Sequence, residues 1–280
     1  MPNVLDEIVS GVRQDLAAAK KSVPEEALRT RIAARPRLPP SFREALAARP
    51  GAGPAADVRV IAEVKIASPS RGFIARGANP VAIARAYAAN GAAAISVLTE
   101  RRRFHGSLET LVDVARTVPI PVLRKDFIVE AYQVLEAAAS GAAAVLLIAA
   151  LHDRADLYAL LEAARAVQLD ALVEVHDERE LERAIGAGAS IVGVNNRDLK
   201  TLAVDLDTSI RLAPLIPADV LKVAESGIKR REDIDRLAAA GYGAFLVGES
   251  LMEQTAPGGG LAALLRPGPG GAVKRTGPKP

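Results

Sequence analysis

Charged residues at alternating positions carry the first chemical signal in this sequence. In Val60-Ile61-Ala62-Glu63-Val64-Lys65, an extended chain would turn Ile61, Glu63 and Lys65 to one face. In Leu123-Arg124-Lys125-Asp126 the same alternation puts Lys125 on the face of Leu123, and Leu172-Val173-Glu174-Val175-His176 brings Glu174 to the end of its own strand. Two more apolar runs end in Asn195 and Ser226. Two lysines, two carboxylates, an amide and a hydroxyl are the equipment of proton transfer near neutral pH. Burial lowers the pKa of a lysine, whereas a neighbouring carboxylate holds it charged. The competing reading is a set of inert interior ion pairs. Because burying a charge costs several kcal/mol unless it is well paired, repeating it at one place is better explained by catalysis.

The elements that position these residues follow from a repeat. Gly91-Ala-Ala-Ala-Ile-Ser-Val-Leu, Gly141-Ala-Ala-Ala-Val-Leu-Leu-Ile, Gly188-Ala-Ser-Ile-Val-Gly-Val and Gly241-Tyr-Gly-Ala-Phe-Leu-Val-Gly each read as a helix-ending glycine followed by a short apolar strand. Their spacing of about 50 residues equals two βα units, so four double units give eight strands. The other four strands are expected at Val58 to Lys65, Pro121 to Asp126, Ala171 to His176 and Val220 to Ser226. Helical stretches lie between them, at Val81 to Asn90, Leu108 to Thr117, Ala131 to Ser140, Asp156 to Val167, Glu178 to Ile185 and Arg231 to Ala240. Short strands alternating with helices predict a parallel α/β architecture, here a TIM (β/α)8 barrel.

Active sites of such barrels form at the C-terminal ends of the strands, where Glu63, Lys65, Lys125, Glu174, Asn195 and Ser226 fall. Glu225-Ser226-Gly227-Ile228 follows the seventh strand and Val247-Gly248-Glu249-Ser250 the eighth. Barrels commonly build a phosphate site at those two places from backbone N–H groups.

The chain of 280 residues suits one barrel with additions, since a barrel needs about 250. Residues 1–50 read as an N-terminal helical extension, with an amphipathic stretch from Val4 to Lys20 and a Pro-rich connection at Pro36, Pro39 and Pro40. Residues 51–266 form the barrel, and residues 267–280 a disordered tail rich in Gly, Pro and Lys. The barrel is expected to be complete without the extension, which should act as a lid over the mouth.

Composition excludes several classes. Aromatics make up 3% of the chain, so the core must be built from Ala, Val, Leu and Ile, and no stacking platform for single-stranded nucleic acid exists. The 36 basic and 33 acidic residues are interspersed; short runs such as Arg101-Arg102-Arg103 read as solvated faces, and no nucleic-acid partner is expected. The absence of cysteine excludes disulfides and thiolate zinc sites. His105, His152 and His176 lack metal-ligand spacing, and no dinucleotide or Walker motif occurs, so neither metal nor cofactor is expected. With no signal-like start and no apolar run long enough for a bilayer, the expected location is the cytoplasm, without membrane contact.

With these residues placed, the chain resembles the indole-3-glycerol-phosphate synthase family of tryptophan biosynthesis, from Val4-Leu5-Asp6-Glu7-Ile8-Val9 through Leu251-Met252. Five motifs carry the resemblance: Ile61-Ala62-Glu63-Val64-Lys65 with Ser68-Pro69-Ser70; Leu98-Thr99-Glu100 with Phe104-His105-Gly106-Ser107; Leu123-Arg124-Lys125-Asp126-Phe127-Ile128; Asn195-Asn196-Arg197-Asp198-Leu199; and Ala224-Glu225-Ser226-Gly227-Ile228. The resemblance implies a carboxy-lyase that closes the indole ring of a carboxyphenylamino deoxyribulose phosphate with loss of carbon dioxide and water. It implies Lys125 as general acid, Glu174 as general base, Lys65 on the substrate carboxylate with Glu63 beside it, and Asn195 on the sugar hydroxyls. Phe104 and Phe127 would line the aryl pocket, and Ser68, Gly227, Gly248 and the backbone of Glu249 would grip phosphate. Arg197 would orient Glu63 or reach the substrate. Two departures from the family pattern touch the phosphate: Ile66 and Ala67 stand where some members carry basic residues, and Glu249 where some carry Ser. A phosphoribosyl isomerase of similar fold and a non-catalytic metabolite-binding barrel are the alternatives; a monomer or weak homodimer acting on a small sugar phosphate is expected.

Overall fold

The computed structural model describes residues 4–47, 58–68, 72–73, 77–199, 201–254 and 256–266. Eight strands form a closed barrel: β1 (Arg59–Val64), β2 (Ala94–Leu98), β3 (Val122–Lys125), β4 (Ala144–Ile148), β5 (Asp170–Val175), β6 (Ile191–Asn195), β7 (Leu221–Glu225) and β8 (Ala244–Val247). Every neighbouring pair is parallel, and β1 closes the ring by pairing with both β2 and β8. The strands are apolar on both faces because both are covered. Ile61, Leu123, Leu172, Ile191 and Val223 fill the interior, while Val60, Ile95, Val145, Val173 and Phe245 pack outward under the helices.

The helices are α1 (Val4–Ser22), α2 (Glu25–Ala33), α3 (Phe42–Leu46), α4 (Pro80–Ala89), α5 (Leu108–Thr117), α6 (Ala131–Ala139), α7 (Arg154–Ala166), α8 (Glu178–Gly186), α9 (Asp207–Leu212), α10 (Arg231–Ala239), α11 (Glu249–Met252) and α12 (Pro257–Leu265). Asn79, Ser107, Asp153 and Asp177 cap four of them by accepting backbone N–H bonds. The repeated glycines end helices in the left-handed conformation as expected, with φ of 95° at Gly91, 85° at Gly141, 87° at Gly188 and 97° at Gly241.

The stretch from residue 21 to 50, expected to be mainly a connection, holds two further helices, and the barrel is not complete without α3. Phe42 and Leu46 are fully buried among the interior residues Ile61, Ala94, Leu123 and Ile191. The Arg43 backbone donates to Asp170 Oδ2 at 2.9 Å, and its guanidinium donates to the Ser190 carbonyl at 2.8 Å. These partners sit where β5 and β6 begin, so α3 plugs the floor of the barrel. Deleting the whole extension would expose that floor. A short antiparallel hairpin, Ala67–Ser68 with Gly72–Phe73, follows β1. Residues 267–280, expected to form the tail, lie outside the described residues, as do residues 48–57.

Candidate active site

At the C-terminal ends of the strands, one cavity of about 140 Å³ collects Glu63, Lys65, Lys125, Glu174, Asn195, Arg197 and Ser226, with Phe104, Phe127, Leu146 and Ile148 as apolar wall. Two larger clefts, of about 440 and 610 Å³, run beside α1 but contain neither lysine. Chemistry, not size, selects the mouth.

At the end of β1, Lys65 Nζ lies 3.6 Å from Glu63 Oε1. The Ser96 hydroxyl on β2 reaches Glu63 Oε2 at 3.5 Å. Gly248, just after β8, leaves room for that carboxylate: a Cβ there would stand 2.7 Å from Glu63 Oε1. From β3, Lys125 Nζ reaches Glu174 Oε2 on β5 at 3.4 Å and Glu225 Oε2 on β7 at 3.7 Å. Burial works against the charge of Lys125, but the nearby carboxylates of Glu174, Glu225 and Glu63 outweigh it and raise its pKa above the ordinary lysine value. Lys125 therefore rests protonated, ready to donate.

Glu174 is almost wholly buried. Burial pushes its pKa up, yet Lys125, His176 and a hydrogen bond with Asn195 more than compensate, and it stays below the usual carboxylate value. Asn195 also accepts from the backbone N–H of Arg197 at 3.0 Å, which fixes its amide. Arg197, whose partner the sequence left open between Glu63 and substrate, pairs with Glu249 Oε2 at 3.2 Å and donates to the Leu202 carbonyl at 3.2 Å. The side chain of Glu249 is thus turned toward Arg197. Ser226 and Gly227 are consecutive left-handed residues, with φ of 63° and 80°, at the turn that leaves β7. Ser68 lies on the hairpin strand, with its side chain outside the described part, and Pro69 and Ser70 are outside the described residues.

Phe104 and Phe127 face each other across the wall, ring centroids 6.1 Å apart and planes tilted by 39°. Lys65 Nζ stands 6.0 Å over the Phe104 ring. Val4, Leu5 and Ile8 of α1 complete the apolar side. Arg102 and Arg103 are exposed, as expected of their run, but they also pin α1: Arg102 Nη2 lies 2.6 Å from Asp15 Oδ1, and Arg103 Nη2 lies 2.6 Å from Glu7 Oε2.

Two further residues complete the mouth. Glu225 is 1% exposed, and neither of its carboxylate oxygens has a hydrogen-bond partner. Burial, joined by the charge of Glu174, overrides Lys125 and pushes its pKa up to about 8. Gly193 on β6 gives it space, since a Cβ there would stand 2.1 Å from Glu225 Oε1. Alternation from inward-facing Val223 would have found Glu225; taking Ser226 as the strand end hid it. His176, the other, shares the parity of Glu174 and lies beside it, with Nε2 3.4 Å from Glu174 Oε1. Among the described residues, no group of three or more His, Asp or Glu side chains is placed to hold a metal ion.

The mouth therefore offers a protonated amine and an ionised carboxylate in contact, a second amine, and an aromatic wall. This arrangement suits acid–base chemistry on a molecule with an aryl ring and anionic groups. Comparison with known proteins points the same way. The model of the family described as indole-3-glycerol phosphate synthase matches residues 5–262. A protein of that name from Nocardioides sp. is 52% identical over 262 residues, covering 92% of this chain and 96% of its own. Indole-3-glycerol phosphate synthase 1 of Streptomyces coelicolor is 50% identical over 267 residues, covering 95% and 96%. Among solved structures, 3-hexulose-6-phosphate synthase superposes with a TM-score of 0.60 at 15% identity over 74% of this chain and 98% of its own. Thiamine phosphate pyrophosphorylase from Pyrococcus furiosus gives 0.57 at 16% identity over 75% and 95%. At such identities these two likenesses speak to the barrel alone.

Proposed function

The chain belongs to the indole-3-glycerol phosphate synthase family, and from that membership we propose how its barrel mouth divides the labour of the reaction. The enzyme is a carboxy-lyase that converts 1-(2-carboxyphenylamino)-1-deoxyribulose 5-phosphate to indole-3-glycerol phosphate. In the first step the aryl carbon bearing the carboxylate attacks the ketone carbon, and Lys125 donates its proton to the ketone oxygen as that oxygen takes up the electron pair. Carbon dioxide then leaves and restores the aromatic ring. In the last step Lys65 protonates the new hydroxyl so that it departs as water, and Glu174 accepts the proton whose loss completes the indole. Glu63 pairs with Lys65 and holds its amine in place. Asn195 holds the sugar hydroxyls and Ser226 adds a hydroxyl beside it, while Phe104 and Phe127 enclose the aryl ring. Ser68 and the backbones of Gly227, Gly248 and Glu249 take the phosphate.

The observation that carries this reading is the contact of 3.4 Å between Lys125 on β3 and Glu174 on β5, beside the Phe104–Phe127 wall. An acid already charged and a base already ionised meet at the place where an aryl ring can lie. A positioned general acid is worth roughly 100 to 10,000-fold in rate. The proposed setting is the cytoplasm, with a monomer or weak homodimer acting on a free metabolite rather than on nucleic acid. Among the described residues no helix is long and apolar enough to cross a membrane. The test is to add the carboxyphenylamino deoxyribulose phosphate to the purified chain and follow indole fluorescence. Its appearance supports the reading, and no product under ordinary buffer conditions overturns it.

A further inference from the structure

His176 has no part in the reaction as assigned, yet its geometry is that of a working group. It follows β5 two residues after Glu174, on the same face. Its Nδ1 lies 3.0 Å from Glu180 Oε2, and its backbone N–H donates to the same oxygen at 2.8 Å. Glu180 is itself held, because Asp177 caps α8 by accepting the Glu180 backbone N–H at 2.9 Å. The double contact fixes the ring with Nδ1 as the donor side. That leaves Nε2, buried and without a hydrogen bond of good geometry, pointing at Glu174 Oε1 from 3.4 Å. The two oxygens of Glu174 thus face different nitrogens: Oε2 faces Lys125 and Oε1 faces His176.

We propose that His176, clamped by Glu180, is the positioning residue of Glu174: as an imidazolium it holds that carboxylate ionised and oriented after Lys125 has given up its proton. The inference rests on the reading of Glu174 as the base. The charges around it explain the need. Glu174 is faced by Lys125 from β3, Asn195 from β6 and Glu225 from β7, with Glu63 and Lys65 across the mouth at the end of β1. With Glu225 carrying a proton, as its pKa of about 8 implies at neutral pH, the carboxylates of Glu63, Glu174 and Glu180 balance the cations of Lys65, Lys125 and His176. Once Lys125 has protonated the ketone, one cation is gone. Without His176, Glu174 would then hold a solvent proton more tightly and be lost as a base. Burial opposes charge on His176 itself, but the Glu180 hydrogen bond and the carboxylates of Glu174 and Glu180 outweigh it and raise its pKa above the ordinary 6.5.

The experiment has two arms on the full chain. Nitrogen-detected NMR titration of the three histidines, with the His176 signal assigned by its loss in His176→Asn, should show His176 titrating above pH 6.5. Steady-state kinetics across pH should then show the acidic limb of kcat displaced upward by about one pH unit in His176→Asn, with the Michaelis constant little changed. Glu180→Gln keeps the imidazole and a hydrogen-bond acceptor but removes the clamping charge. It should shift the limb the same way by less, and it stands in should His176→Asn fail to fold. A structural role would lower stability or overall rate without moving the limb. His176 titrating below 6.5, or an unmoved acidic limb in a folded variant, overturns the proposal. Absence of indole formation by the wild-type chain would overturn the functional reading instead, and the NMR arm remains readable in that case.

Discussion

Arg124 and Lys125 are neighbours on β3, both drawn into the body of the protein, and their surroundings differ in kind. Arg124 points outward under α6, where Nε meets Thr99 Oγ1 at 3.1 Å, Nη2 meets Asp126 Oδ2 at 3.0 Å, and Nη1 meets the Gln133 carbonyl at 2.7 Å and Glu136 Oε2 at 3.3 Å. Asp126 takes further bonds from the Thr99 hydroxyl at 2.5 Å and the Phe127 backbone at 2.8 Å. That network is closed, with the guanidinium bonded through all three nitrogens. Lys125 points inward to contacts of 3.4 and 3.7 Å, beside a carboxylate, Glu225, that has no hydrogen bond at all. Fully satisfied polar networks make a fold rigid and specific, whereas unsatisfied buried groups are costly and mark function. One strand thus holds a finished structural ion cluster on one face and an unfinished one, open to a substrate, on the other.

The comparison can be broken in four ways, taken from the largest effect down. Glu174→Gln on the open side should lower turnover by roughly 100 to 10,000-fold with the fold intact by circular dichroism. A stability loss as large as the activity loss would make Glu174 a structural group. Arg124→Met on the closed side should do the reverse and cost about 3–5 kcal/mol in urea unfolding, because it strands Asp126 and Glu136, while turnover per folded molecule stays near wild type. Glu225→Gln tests the open side through pH. A carboxyl whose pKa rises from 4.5 to about 8 on folding binds its proton more tightly in the folded chain. Wild-type stability is therefore lost as pH rises from 4.5 through about 8, whereas the amide variant is spared this loss. The advantage of Glu225→Gln should grow across that window by up to about 1.4 kcal/mol per pH unit and level off above it. A flat difference in unfolding curves would mean Glu225 titrates normally. Smallest are the ties of α1, since exposed ion pairs contribute little and are screened by salt. The double variant Arg102→Ala, Arg103→Ala should raise the Michaelis constant a few-fold and remove its salt dependence; binding that stayed normal would show that α1 needs no pins to cover the mouth.

Much of the mouth is legible in the sequence. Strand alternation put Lys125 with Leu123 and Glu63 with Lys65, and the repeated helix-ending glycines counted out eight strands. The same rule, carried two residues further, reaches Glu225 from Val223 and His176 from Glu174. Ser226, the polar residue just past β7, masks Glu225 as the strand end, and the lack of metal-ligand spacing leaves His176 without a role of its own. The floor was harder. Ser41-Phe42-Arg43-Glu44 has the spacing of a helix start, and Ser41 does accept from the Glu44 backbone at 3.1 Å, but three nearby prolines made the segment look like a connection. That Arg197 would meet Glu249 across the rim, at 3.2 Å, depends on loop packing that no local pattern encodes. Nor does alternation distinguish the closed cluster of Arg124 from the open one of Lys125, because satisfaction of a buried charge is decided by partners distant in sequence.

The most direct test measures Lys125→Met twice, by steady-state kinetics and by urea unfolding, with Arg124→Met treated in parallel. Met keeps the bulk of lysine and removes its charge, and the carboxylates it leaves behind can take up protons, Glu225 already having a raised pKa. Turnover should fall by roughly 100 to 10,000-fold, far more than any change in the Michaelis constant, while stability falls by less than in Arg124→Met because the stranded carboxylates can take up protons. A folded Lys125→Met chain that kept more than about a tenth of wild-type turnover, or that lost as much stability as Arg124→Met, would contradict the assignment of Lys125 as the acid and leave Lys65 in that role.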